Sequence, residues 1–169
     1  MTRNQTPLEF SRPLRVDRVP RGGCFEKIAA DPRECRDLAV RLGVPRVHSL
    51  TAKLQASPCR GGGLKLEGKL SADLDQVSVV SLENFRQTVE YPVLRYFLPP
   101  GAAVPEDFEA DTFEAGHVDL GEVVTETLAL ELEPYPRKPG EVFDVLPDEP
   151  DDALKPASPF AGLAGLKRT

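Results

Sequence analysis

The chain has 169 residues, 40% hydrophobic and 28% charged, which allows one ordinary domain with tails and excludes wholesale disorder. It contains no apolar run of about 18 residues, so no membrane helix is expected. Residues 1–10 lack the apolar stretch of a secretory signal, and the expected location is cytoplasmic.

The net charge of -6 is divided unevenly. Residues 1–70 carry 14 Lys/Arg against 7 Asp/Glu, and residues 71–169 carry 7 against 20. The acidic total opposes nucleic-acid binding, while a local basic surface favours it. Arg3, Arg12, Arg15, Arg18 and Arg21 give the leading segment its sign.

Residues 8–19 read as an extended segment anchored by Phe10, Leu14 and Val16. Pro13 and Pro20 bar it from the middle of a sheet. Gly22 and Gly23 mark a turn, and residues 24–29 a short strand. A helix then starts with Asp31 as cap, Pro32 at the first position and Glu34 closing a capping box. Cys35, Leu38, Ala39 and Leu42 follow on one helical face, and Gly43 ends the helix.

Alternation is clearest next. Leu50, Ala52, Leu54 and Ala56 alternate with Ser49, Thr51, Lys53 and Gln55. Leu64, Leu66, Leu70, Ala72 and Leu74 alternate with Lys65, Glu67, Lys69 and Asp73. Both patterns predict strands with one wet face, joined through a glycine-rich loop at residues 57–63. Gly68 reads as a bulge. Residues 77–82 and 88–97 are further strand candidates with Asn84 in the turn between them, and Pro92 marks an edge or bent strand. Residues 99–116 are acidic, lack periodicity and read as a long loop.

A second helix is expected from Asp119, with Glu122 completing a capping box and Leu120, Val123, Val124, Leu128 and Leu132 on its apolar face. Pro134 and Pro136 stop it. The expected organisation is a domain over 1–133, an acidic proline-rich linker over 134–157 and a short apolar motif over 158–169. Phe160, Leu163 and Leu166 are the docking candidates of that motif, which docks on its own domain, on a partner, or not at all. The fold class is α+β: mostly antiparallel sheet with a long hairpin, two principal helices and a flexible C-terminal tail.

Catalytic and metal patterns do not assemble. Residues 63–70 imitate a P-loop, but Leu70 stands where the pattern needs Ser or Thr for magnesium, and the segment alternates like a strand. Cys24, Cys35, Cys59, His48 and His117 include no pair at zinc-ligand spacing. Cys35 is expected to be a buried thiol and Cys59 an exposed one. Their odd number fits a reducing compartment. His117 reads as a residue leading into the second helix. No catalytic residue, metal or other cofactor is expected.

Arg12, Arg15 and Arg18 recur every third residue, and Arg60 sits in the glycine loop. These four are the nucleic-acid candidates, suited to phosphate contact rather than base reading; salt bridges to the acidic second half are the competing role. An aromatic stacking platform is not evident, since the chain has no Trp and three Tyr.

Four segments in order resemble the YceD family of large ribosomal RNA accumulation proteins, in its proteobacterial branch. They are residues 9–14 (Glu-Phe-Ser-Arg-Pro-Leu), 76–83 (Gln-Val-Ser-Val-Val-Ser-Leu-Glu), 118–124 with the helix leading to Pro134-Tyr135-Pro136-Arg137, and the tail 158–167. The resemblance implies a non-catalytic cytoplasmic role in accumulation or processing of 23S ribosomal RNA and assembly of the large subunit, through binding of RNA or a pre-ribosomal particle. The alternative is an adaptor that engages a basic ribosomal protein through its acidic surface and C-terminal motif. Many relatives carry cysteines where Val77 and the Pro134–Arg137 segment stand here, so a metal role in them does not transfer.

Overall fold

The computed structural model describes residues 8–102 and 109–142. The chain divides into two units, Met1–Lys138 and Pro139–Thr169. The architecture below is that of the first. Residues 158–169, with Phe160, Leu163 and Leu166, lie outside the described residues, as does most of the expected linker.

The elements in order are β1 (Pro13–Arg15), a short 3-10 turn (Val16–Arg18), β2 (Cys24–Ala29), α1 (Pro32–Leu42), β3 (Arg46–Cys59), β4 (Gly63–Val77), β5 (Asn84–Leu98), β6 (Asp111–Thr112), β7 (His117–Asp119) and α2 (Leu120–Glu131). Five strands form one sheet in the order β2-β3-β4-β5-β6, antiparallel except for the short β5–β6 pair. β1 and β7 make a separate antiparallel pair. The α+β class with a long hairpin is thus realised.

Period-two alternation sends Leu50, Ala52, Leu54 and Ala56 of β3 and Leu64, Leu66, Leu70, Ala72 and Leu74 of β4 to one face, where all are buried. Both helices cover that face, α1 against β3 and α2 mainly against β5, with contacts to β4. Cys35 and Leu38 of α1 and Val123, Val124 and Leu128 of α2 complete the core with Phe10 and Val118. Each fully buried aliphatic side chain there contributes roughly 1.5–3 kcal/mol.

The ends of α1 follow from local chemistry. The Asp31 carboxylate accepts the N–H groups of Arg33 and Glu34 at 2.8 Å, Glu34 accepts the N–H of Asp31, and Gly43 closes the helix in the left-handed region. At α2, Asp119 accepts from Gly121 and Glu122, a one-sided cap. Burial, the largest cause, and the nearby carboxylates of Glu126 and Asp119 push the pKa of Glu122 up.

Several expectations are corrected. The glycine loop is shorter than residues 57–63: pairing runs to Cys59↔Gly63, leaving Arg60, Gly61 and Gly62, whose glycines have φ of 80° and 75°. Gly68 is not a bulge. It stays in register opposite Leu54 and Val93, and an added Cβ would lie 2.1 Å from the Lys53 carbonyl oxygen. The irregularity lies instead between Val47 and Ser49.

Residues 78–83 form a turn, not a strand, because the Ser78 hydroxyl accepts the N–H groups of Val80 and Ser81 and its own N–H donates to Glu83. Asn84 opens β5 rather than sitting in that turn. Within the expected loop 99–116, residues 111–112 add β6. His117 belongs to β7. Cys59 is half-buried in β3, which raises its thiol pKa, while Cys35 is buried as expected.

Candidate nucleic-acid interface

The four arginines singled out by sequence have different fates. Arg12 is committed to the fold: its guanidinium donates to both oxygens of Glu34 at 2.8 and 2.9 Å and to the Ala29 carbonyl, and it lies 4.7 Å from the centre of the Phe10 ring. This pairing holds the Glu34 carboxyl below its usual range and raises Arg12. Arg15 donates two bonds to Asp17, both residues being exposed.

Arg18 and Arg60 are exposed and make no ion pair with another described residue. Arg18 lines a shallow groove of about 770 Å³ with Pro13, Leu14, Arg15, Ala115 and His117. Arg60 stands at the tip of the β3–β4 hairpin. No hydrogen bond or ion pair among the described residues joins the four into one site.

The sheet itself presents a second basic feature. With both helices on one face, the wet residues of β2 to β5 stand on the other, and register fixes which of them are neighbours. Lys27 pairs with Lys53, Lys53 with Lys69, and Lys69 with Pro92. Three lysines therefore form one rung across three strands, spanning roughly 10 Å at the usual strand spacing. All three are exposed.

Like charges directly opposite one another destabilise a sheet, so the rung runs against packing preference. Lys69 is relieved by Glu90. Lys27 and Lys53 have no ion-pair partner among the described residues.

The adjacent rung runs Phe25, Gln55, Glu67, Leu94. Phe25 is 82% exposed and Leu94 57%, while Phe10, Phe85 and Phe97 are all buried. An open aromatic ring thus stands two residues from Lys27 on the same face. One rung further along, Ser57, Lys65 and Tyr96 are neighbours, and Lys65 is paired with Glu67 at 2.5 Å. Toward the opposite end the face becomes balanced, with Arg86 bound to Asp73 through both nitrogens. Lys27 and Lys53, both without an ion-pair partner among the described residues, place open positive charge on β2 and β3 at this level.

Sequence reading placed Lys53 and Lys69 on wet faces but did not align them. Their alignment follows once the hairpin turn is set at residues 60–62, since Cys59↔Gly63 and Lys53↔Lys69 share one register. Lys27 and Phe25 lie in a six-residue strand whose pairing is not local.

Comparison with known proteins adds one finding. The family described as large ribosomal RNA subunit accumulation protein YceD matches residues 66–167. The chain belongs to the YceD family. No curated protein and no solved structure gives a match. The family's description ties this YceD protein to accumulation of large-subunit ribosomal RNA.

The YceD match begins inside β4. It takes in Glu67, Lys69, Leu94 and α2, and it leaves Phe25, Lys27 and Lys53 before its first residue. No helix among the described residues is long and apolar enough to cross a membrane.

Proposed function

We propose that this YceD-family protein supports large-subunit ribosomal RNA accumulation by binding that RNA, or precursor particles that carry it, and that it does so without catalysing a reaction. The observation that carries this reading is the Lys27–Lys53–Lys69 rung on an uncovered sheet face. Lysine ammonium groups in a row are point charges suited to phosphate oxygens, and phosphate contact is where most nucleic-acid affinity originates. Arg18 and Arg60 are further phosphate candidates, while Arg12 and Arg15 act first through Glu34 and Asp17.

The test is a salt titration of full-length protein binding to a large-subunit ribosomal RNA fragment. Replacing Lys27, Lys53 and Lys69 together by Gln is expected to flatten the log affinity against log salt plot by about 2–3, from roughly 0.7–0.9 per phosphate contact. Replacing Arg12 by Gln is expected to lower stability and leave that slope nearly unchanged. Unaltered slope and affinity in the triple variant would overturn the proposal.

A further inference from the structure

The two adjacent rungs differ in chemistry, and the difference discriminates between forms of RNA. The lysine rung offers charge alone. The neighbouring rung offers the open Phe25 ring at one edge, the Gln55 amide beside it and exposed Leu94 at the other edge. A duplex turns its phosphates outward and keeps its base faces stacked inside, so an exposed ring gains nothing from it. An unpaired strand presents both phosphates and bare base faces, and bases stack on aromatic side chains in single-stranded recognition.

From this we infer that the open sheet face takes single-stranded RNA, laid across the strands, with its phosphates along Lys27, Lys53 and Lys69 and a base stacked on Phe25. The inference rests on the RNA-binding reading above. The path lies across the strands because the three ammonium groups are on neighbouring strands at one level, and because Phe25 stands beside Lys27 at one end of that level. Gln55, the next residue along from Phe25, carries both donors and an acceptor for a base edge. Glu67 follows Gln55 and is held by Lys65, which limits its repulsion of the strand. Three phosphate contacts give a salt slope of about -2 on a single strand.

The experiment compares full-length protein binding to a short single-stranded RNA and to the same RNA annealed to its complement. Tighter binding of the single strand is expected. Phe25→Ala is expected to weaken single-strand binding by roughly 5- to 150-fold, the range for one lost base stack, and to leave duplex binding unchanged.

Phe25→Leu separates the ring from mere apolar area and is expected to lose most of the same affinity. Phe25 is exposed, so both variants should fold, which thermal melts verify. Equal or tighter duplex binding, or a single-strand affinity unmoved by Phe25→Ala, would overturn the inference. If the triple lysine variant still weakened binding in that case, RNA contact would survive while the single-strand claim fell. No binding to either RNA would remove both.

Discussion

Lys53 has Lys27 opposite it on β2 and Lys69 opposite it on β4, so Lys53→Gln should stabilise the fold while weakening RNA binding. Two ammonium groups roughly 7 Å apart in water repel by about 0.6 kcal/mol. Lys69 is already offset by Glu90, which reduces its share, and the side chains splay into solvent. The expected gain is therefore about 0.5–1 kcal/mol at low salt, within the range for cross-strand pairs. In a domain of this size that raises Tm by about 2–4 °C.

Urea denaturation of the two proteins at about 0.01 M salt and at about 1 M salt isolates the cause. The screening length falls from about 30 Å to about 3 Å between those conditions, so the gain should nearly vanish at high salt. Gln keeps most of the side-chain length and removes the charge. A Lys53→Gln protein no more stable than the parent at low salt, or equally favoured at high salt, would show that the rung carries no electrostatic repulsion.

Two other perturbations probe the frame that holds this face. The Asp119 carboxylate accepts from Gly121, Glu122 and the Arg12 backbone N–H at 2.9, 3.2 and 2.8 Å and from the Ser11 hydroxyl. Asp119→Ala removes the α2 cap and the anchor of the leading segment together, with an expected loss of about 2–4 kcal/mol in urea denaturation and faster amide exchange around Phe10; a loss below about 1 kcal/mol would deny the double role.

Glu34 has a pKa below its ordinary 4.5, chiefly because Arg12 bonds its carboxylate. Its contribution is therefore fully present above that ordinary value and is lost as pH falls through the depressed one. Glu34→Gln should be less stable than the parent at neutral pH and show a flatter decline of stability below about pH 4.5, read from thermal melts across pH.

What was legible in the sequence was local or periodic. Asp31, Pro32, Glu34 and Gly43 delimit α1 because caps act within one turn of chain, and the β3 and β4 alternation announces its own wet face. The departures arise where distant chain decides. Gly68 looked like a bulge because a strand has no local need for glycine; the need is set by the Lys53 carbonyl of the neighbouring strand. Residues 78–82 include Val79 and Val80, yet the Ser78 hydroxyl captures two backbone donors and turns the chain. For Arg12 the competing salt bridge was expected in the acidic second half, but its partner, Glu34, lies only 22 residues away on α1. The lysine rung was hidden: each lysine is visible, and only register makes them neighbours.

The two kinds of cationic side chain meet carboxylates differently. A planar guanidinium matches both oxygens of a carboxylate and binds them through two parallel bonds. Arg12 with Glu34, Arg15 with Asp17 and Arg86 with Asp73 all use two nitrogens in this way. A lysine ammonium is a hydrated point charge; Lys65 and Lys69 pair with Glu67 and Glu90, while Lys27 and Lys53 have no ion-pair partner among the described residues.

The basic surplus of residues 1–70 reaches solvent through Lys27 and Lys53 on a face that no described helix covers, and through exposed arginines elsewhere, among them Arg18 and Arg60. The acidic total of the molecule opposes a polyanion, so the proposed RNA contact depends on local cationic positions such as the lysine rung. On the proposed reading, affinity depends on phosphates that meet the Lys27–Lys53–Lys69 row, and binding is expected to weaken with salt and again when the row is broken at its middle member, Lys53.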